Sequence, residues 1–381
     1  MTETVAPYKE IVDIIKLHGG QSFKYCYQCG ICDVVCPWNR VGSFSMRKLV
    51  RQAVFGLTAI DEEEIWRCTT CGACPSRCPR GVDQIAAGVS LRRIATEYGV
   101  VPDSITTISG HLMSEGNSLG GERGKRAAWA EGLSVNTYAE GMEVLYYPGC
   151  YLSYDPRMKK VAVATAKILK KAGVEFGILG PKEVCCGESI RKTGDEATFK
   201  HLARENIKTF IDHGVKRILV SSPHCFHTFA NEYPEFGMHF EVIHITQFMH
   251  ELISSGRLEL KGSYAKRITY HDPCYLGRHN KIFDQPREVL GQVSGLTLNE
   301  MEDHRENSLC CGGGGGRIWM ETPMEERFSN IRLKQALDVD AEVLATSCPY
   351  CITNFTDSAL SLGNGRSIEI KDVTEIIQEV I

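Results

Sequence analysis

Cysteine carries the chemistry of this chain: 17 of its 381 residues are cysteines. Cys26, Cys29, Cys32 and Cys36 form a C-x2-C-x2-C-x3-C run closed by Pro37, and Cys68, Cys71, Cys74 and Cys78 repeat it, closed by Pro79. Thiolates are ligands of soft metals and of iron–sulfur clusters. Three cysteines on one tight loop can cap three irons of a cubane while a fourth approaches from across the domain. Gly30 and Gly72 allow the turns such loops need. Zinc sites and buried free thiols are the alternatives, but four zinc ligands do not explain a proline-closed fourfold run occurring twice.

The other nine cysteines fall into two sets of similar spacing. Cys150 corresponds to Cys274, the pair Cys185 and Cys186 to Cys310 and Cys311, and Cys225 to Cys351, at offsets of 124, 125, 125 and 126. Nearly constant offsets mean duplication. Flanking text agrees, since GVKRILVSSPHC aligns with DAEVLATSCPYC and FEVIHITQFMHELI with IEIKDVTEIIQEVI. The second set is complete: Cys274, then Cys310-Cys311-Gly312, then Cys348-Pro349-Tyr350-Cys351. Five cysteines exceed what one cubane needs, and an adjacent pair can reach different irons or bridge two, opening the cluster away from a cube. Gly312 and Gly313, at the head of a run to Gly316, would let backbone approach a cluster and donate N–H bonds to its sulfurs. A phosphate-loop reading of the run fails, because no Lys-Ser or Lys-Thr follows it. In the first set Ser222-Pro223-His224-Cys225 replaces C-x-x-C. Its four cysteines could bind a cluster of ordinary type, or one with Ser222 or a histidine as fifth ligand.

The elements that must position these residues divide the chain in four. Residues 1–102 read as a small helical domain, with FSMRKLVRQAVFG and VDQIAAGVSLRRIATEYGV as amphipathic helices and Phe44 and Met46 as core. Residues 103–142, rich in Gly, Ser and charge, read as a linker or docking arm. From 143 the pattern becomes apolar strand-like runs (VLYY, KRILVSS, AKRITYHD, AEVLATS) alternating with helical stretches. This predicts two α/β units with mainly parallel sheets, over 143–262 and 263–381. The chain carries 43 Lys plus Arg against 47 Asp plus Glu, so nothing points to a nucleic acid or an anionic membrane. No apolar stretch approaches the roughly 18 residues of a spanning helix, which leaves membrane contact to a partner subunit. MTETVAPYKE has neither a basic flank nor an apolar signal core, which predicts a cytoplasmic chain, and the cytosol keeps thiols reduced.

The N-terminal spacing resembles the two-cluster bacterial ferredoxin, in which the fourth cysteine of each run ligates the other cluster. That resemblance implies one 4Fe-4S cubane on Cys26, Cys29, Cys32 and Cys78, and another on Cys68, Cys71, Cys74 and Cys36. The C-terminal spacing is similar to the CCG domain of the B-type subunit of heterodisulfide reductase. A two-cubane domain ahead of two CCG units is similar to the D-type subunit of heterodisulfide reductase. This implies duplicated Rossmann-like units and a non-cubane 4Fe-4S cluster held by Cys274, Cys310, Cys311, Cys348 and Cys351, at which a disulfide is split or formed in one-electron steps. A further cluster on Cys150, Cys185, Cys186 and Cys225 is the open case. CCG proteins also include the iron–sulfur subunit of class II benzoyl-CoA reductase complexes. The alternative function is therefore an electron relay linking a flavoprotein to an acyl-CoA reductase, or to a membrane quinone or cytochrome b partner. His271, Arg278 and His279 around Cys274, and Arg317 after the glycine run, are candidates to offset cluster charge or bind an anionic thiol, or else form structural hydrogen bonds. His224 and His227 bracket Cys225, and Trp319 is expected to pack against the glycine-rich loop as core.

Overall fold

The computed structural model describes residues 8–56, 62–362 and 367–381. Its N-terminal part packs three helices, Lys9–Leu17, Met46–Phe55 and Gln84–Glu97, around Ile15, Phe23, Phe44, Met46, Leu49 and Leu91, all buried. Two of these helices begin where a side chain satisfies a first-turn N–H group: Ser45 Oγ accepts from the Lys48 amide at 3.1 Å, and Asp83 Oδ1 from the Ala86 amide at 2.9 Å. The cysteine runs lie in the short turns between these helices, with Gly30 (φ 85°) and Gly72 (φ 79°) in the left-handed region.

Residues 103–142, expected to form a linker or arm, instead pack onto the first α/β unit. They hold a helix, Asp103–Glu115, and then turns in which Asn117, Arg126 and Trp129 are buried. Asn117 organises the turn by donating to the Gly121 carbonyl (2.7 Å) and accepting from the Leu119 and Gly121 amides. The segment looks unstructured in sequence because these hydrogen bonds and tertiary contacts hold it, rather than a periodic apolar face.

The first unit is a five-stranded parallel sheet of β1 (Asn136–Thr137), β2 (Val144–Tyr147), β3 (Phe176–Ile178), β4 (Arg217–Val220) and β5 (Glu241–His244), ordered β1, β3, β2, β4, β5. The second has β6 (Arg267–Tyr270), β7 (Thr297–Leu298), β8 (Val343–Thr346) and β9 (Glu369–Asp372), ordered β7, β6, β8, β9 and again parallel. Every residue of β2 and of β8 is buried, which is why both read as near-continuous apolar runs rather than alternating ones. The duplication also shapes the packing. The Lys159–Lys171 helix of the first unit lies on the Val373–Val380 helix of the second, and Ile245–Ser254 lies on Asp284–Gly291.

Matching capping boxes start the last helix of each unit. His244 Nδ1 accepts from the Thr246 amide while Gln247 Oε1 accepts from the His244 amide; Asp372 Oδ1 accepts from the Thr374 amide while Glu375 Oε2 accepts from the Asp372 amide. Burial raises the Asp372 carboxyl to about 7 despite the Thr374 hydrogen bonds. The folded state therefore holds a proton that the unfolded chain releases from about pH 4 upward, and stability falls as pH rises to about 7. Asp372→Asn keeps a good cap. Thermal unfolding midpoints measured across this window should show a smaller fall with pH in the variant than in the wild type; equal slopes would refute the assignment.

Candidate metal centres

Cys26, Cys29, Cys32 and Cys78 line one cavity near the surface, together with Gln28, Arg47 and Arg80. Gln28 Nε2 donates to Cys26 Sγ at 3.3 Å, and the Val82 amide to Cys78 Sγ at 3.3 Å. Burial, then the neighbouring Asp33, pushes the Cys32 thiol up to about 12. Deeper in, Cys36 interacts electrostatically with Cys71 and Cys68, and Cys74 with Cys68, Cys71 and Cys36. The Thr70 amide donates to Cys68 Sγ at 3.4 Å. Each run thus places its fourth cysteine beside the first three of the other.

The second α/β unit brings its five cysteines into one buried chain of thiol contacts: Cys274 to Cys310, Cys310 to Cys311, Cys311 to Cys351 and Cys351 to Cys348. Cys274 follows β6, and Cys348 lies between β8 and the Pro349–Leu362 helix, at the carboxyl ends of neighbouring strands. The Gly312 amide donates to Cys310 Sγ at 3.3 Å; in the first unit, Gly187 donates to Cys185 Sγ at 3.4 Å. Further along the run the glycines serve another purpose. A Cβ on Gly315 would lie 2.5 Å from the Cys68 carbonyl oxygen, so the absence of side chains lets this loop close directly on the N-terminal cysteine loop. The closure joins the inner ferredoxin-type set to the second unit: the Cys71 thiol hydrogen-bonds Cys310, and Thr69 Oγ1 lies 3.7 Å from Cys310 Sγ.

In the first unit Cys150, Cys185, Cys186 and Cys225 form a corresponding chain of contacts and line a cavity with Ser118, Ser222, His224 and Tyr350. Arg126 Nη1 lies 4.0 Å from Cys150 Sγ and its Nε 3.3 Å from Glu183. Among the described residues no three His, Cys, Asp or Glu side chains are arranged to hold a single ion, whereas cluster ligands sit on different irons and need not converge on one point.

Anionic clusters suit the charges around these thiols. Arg126 pairs with Glu183, but Arg92 and Arg278, equally buried, form no ion pair among the described residues. Arg92 donates to the Ile65, Cys68, Lys192 and Gly315 carbonyls, and Arg278 to those of Cys71, Glu306 and Ser308. A buried guanidinium without a carboxylate lacks a counter-charge, which thiolate-bound clusters beside Cys68, Cys71, Cys274 and Cys310 would provide. Of the other candidates, His279 stacks on Tyr275 at 4.3 Å with Nε2 2.9 Å from the Thr70 carbonyl oxygen, and burial pushes it down to about 3, leaving it neutral. His271 meets Arg332 (3.1 Å). Arg317 stacks over Trp38 and donates to Thr322 Oγ1 at 2.7 Å. Trp319, expected in the core, is half-buried and lines a cleft of about 820 Å³ that it shares with Trp38, Arg317, Asn354 and Cys311. Sequence reasoning passes over Arg92, Glu188 and Arg332, whose partners lie far away along the chain.

A cysteine-rich domain family (CCG) matches residues 144–230 and 268–356, and a 4Fe-4S dicluster domain matches residues 22–82. The D-type subunit of the dihydromethanophenazine:CoB--CoM heterodisulfide reductase of Methanosarcina acetivorans is 30% identical over 387 residues, covering 93% of each chain. The chain belongs to the CCG iron–sulfur oxidoreductases, with the domain order of that heterodisulfide reductase subunit. Among other members of this family, the probable iron-sulfur-binding oxidoreductase FadF of Bacillus subtilis is 38% identical over 333 residues, spanning 84% of this chain and 47% of the relative. The EtfAB:quinone oxidoreductase of Syntrophomonas wolfei is 35% identical over 333 residues, spanning 84% of this chain and 46% of the relative. The chain therefore spans about half the length of these two relatives. The matched dicluster and cysteine-rich domains support iron–sulfur clusters as its cofactors, and no helix among the described residues is long and apolar enough to cross a membrane.

Proposed function

We propose that the chain passes electrons between a redox partner at its N-terminal end and a disulfide or thiol at its second CCG centre. Two cubanes are assigned to Cys26, Cys29, Cys32 with Cys78 and to Cys68, Cys71, Cys74 with Cys36, and a non-cubane cluster to Cys274, Cys310, Cys311, Cys348 and Cys351. A further cluster of ordinary type is assigned to the four cysteines of the first unit. When bound, these groups supply one-electron transfer. The observation that carries the reading is the contact of Cys71 with Cys310, which puts a ligand of the inner N-terminal set against the second CCG set in an otherwise buried interior. The protein's own part is to hold the two loops together through the glycine run, Arg92 and Arg278, and to keep bulk water from the sulfurs. At the far side, the cleft reaching Cys311 lies within the roughly 300–1,000 Å³ range of small-molecule sites. Hydrogen bonds from Cys310 and Cys351 lower the Cys311 thiol to about 5.

A second reading, an electron relay with no substrate of its own, draws on the names of the relatives. The Syntrophomonas wolfei protein is named for EtfAB and quinone, and a relative from Chromohalobacter salexigens is named as a probable membrane-anchored ferredoxin. A flavoprotein donor and a membrane quinone partner would take the place of the disulfide. The deciding experiment uses the anaerobically purified protein with methyl viologen as donor and a small disulfide as acceptor. Turnover that is lost in Cys348→Ser supports the first reading. No turnover, with reoxidation by a quinone analogue instead, supports the relay. Iron near sixteen rather than about twelve per chain would place a cluster in the first unit as well.

A further inference from the structure

Of the seventeen cysteines, Cys29 alone is exposed. The surface around it is unusually apolar. Fourteen large hydrophobic residues are exposed among those described, and four of them, Tyr25, Tyr27, Ile31 and Val34, fall within one ten-residue stretch around Cys29, which marks a patch rather than scattered surface residues. Tyr27 and Ile31 line the cavity of the outer cysteine set. Val34, 83% exposed, lies one turn beyond Ile31 on the Ile31–Val34 helix and so shares its face. Cations flank this patch. Arg80 lines the same cavity, and Ser22 Oγ accepts from the Asp83 amide at 2.8 Å, which joins the Gln21–Tyr25 turn carrying Lys24 to the loop carrying Arg80. Lys24 and Arg80 are exposed and form no ion pair among the described residues. The nearby carboxylates are already engaged: Asp33 accepts from Ser45 Oγ at 2.8 Å and from the Arg47 amide at 2.9 Å, and Asp83 caps its helix through the Ala86 amide. The chain as a whole carries −4, so this face opposes its net charge.

An apolar centre framed by charge is the anatomy of a protein interface, and electron-transfer partners dock through interfaces at the small end of the range. Electron transfer weakens steeply with distance, so a protein donor must dock where a candidate ligand reaches the surface. We propose that the face formed by residues 25–34 is the docking surface for an acidic electron-carrier protein. Its carboxylates meet Lys24 and Arg80, while its apolar edge covers Tyr27, Ile31 and Val34 beside Cys29. The carrier is oxidised and the outer centre reduced by one electron per encounter, with no bond made or broken. Opposite charges on the two faces steer the encounter and set its orientation. This inference rests on the reading that electrons enter at the N-terminal end, and it adds the place and the charge of the partner.

The test uses the anaerobic holo-protein and flavodoxin, an acidic protein that carries one electron at a time on a flavin. Binding is measured by calorimetry with oxidised flavodoxin, and reduction of the cubanes by stopped flow with its hydroquinone. In the wild type, affinity and second-order rate should both fall by about tenfold or more between roughly 0.01 and 0.15 M salt. Lys24→Glu and Arg80→Glu should each weaken binding by roughly threefold or more at low salt and lose most of that effect at high salt. Val34→Ser, which changes no charge, should weaken binding at both salt concentrations. Lys160→Glu alters the net charge equally on an exposed position of the Lys159–Lys171 helix, and should leave binding within about twofold of the wild type. No saturable binding to the wild type, affinity indifferent to salt, or an equal loss in Lys160→Glu would overturn the docking surface. Methyl viologen reduces clusters without docking, so a wild type whose cubanes give no EPR signal with it would remove the underlying reading before flavodoxin is added.

Discussion

Serine at Cys36 will remove the inner N-terminal centre and leave the outer one intact, although Cys36 belongs by sequence to the outer run. The expectation follows from placement: Cys36 stands with Cys68, Cys71 and Cys74, while Cys78 lines the cavity of Cys26, Cys29 and Cys32. Iron should fall by about four per chain in Cys36→Ser. Adding Cys68→Ser should remove no more, because both ligands serve one centre, whereas adding Cys26→Ser should remove about four more. Because the inner set is the one in contact with Cys310, Cys36→Ser should also stop electrons from an N-terminal donor reaching the second CCG centre. The reverse pattern of iron loss in the double variants would establish uncrossed sets.

Arg92→Met will be among the most destabilising single changes in the protein. The guanidinium is 1% exposed and joins four carbonyls from three parts of the chain: Ile65 and Cys68 in the N-terminal domain, Lys192 in the first CCG unit and Gly315 in the second. Methionine fills much of the volume but leaves these acceptors dry, at about 1–3 kcal/mol for each one that finds no new partner. Partial relaxation should bring the net cost to about 3–5 kcal/mol, comparable with breaking a buried pair. For a chain of this size that lowers the apparent melting temperature by roughly 4–6 °C. Arg92→Lys keeps the charge but not the planar fork, and should fall between Arg92→Met and the wild type. A loss within about 1 kcal/mol for Arg92→Met, measured by calorimetry of the holo-protein, would show that the four bonds are dispensable.

Sequence is informative where chemistry depends on local spacing. Metal-binding loops need their ligands a few residues apart, so both N-terminal runs can be read directly, as can the paired cysteines of each α/β unit. The central strands are legible because a parallel strand buried on both faces must be largely apolar, as β2 and β8 are. Residues 103–142 mislead because their order comes from the Asn117 turn and from contact with the first unit. Trp319 does pack beside Gly316 of the glycine run, as expected, but stays half-buried and also lines the cleft at Cys311.

What the sequence determined by itself was the candidate cluster ligands, the duplication and the α/β class, because each is written in intervals between residues. Only the tertiary structure decided how the centres meet. Cys71 and Cys310 are 239 positions apart, and Ser189 and Tyr350, whose hydroxyls join the cysteine loops of the two α/β units, are 161 apart. Arg92 reads in sequence as one of two adjacent arginines on an amphipathic helix, yet it binds a carbonyl 223 residues away. Such contacts form when packing brings loops of separate domains together, and buried charge and hydrogen-bonding groups must then be satisfied by whatever that packing places beside them.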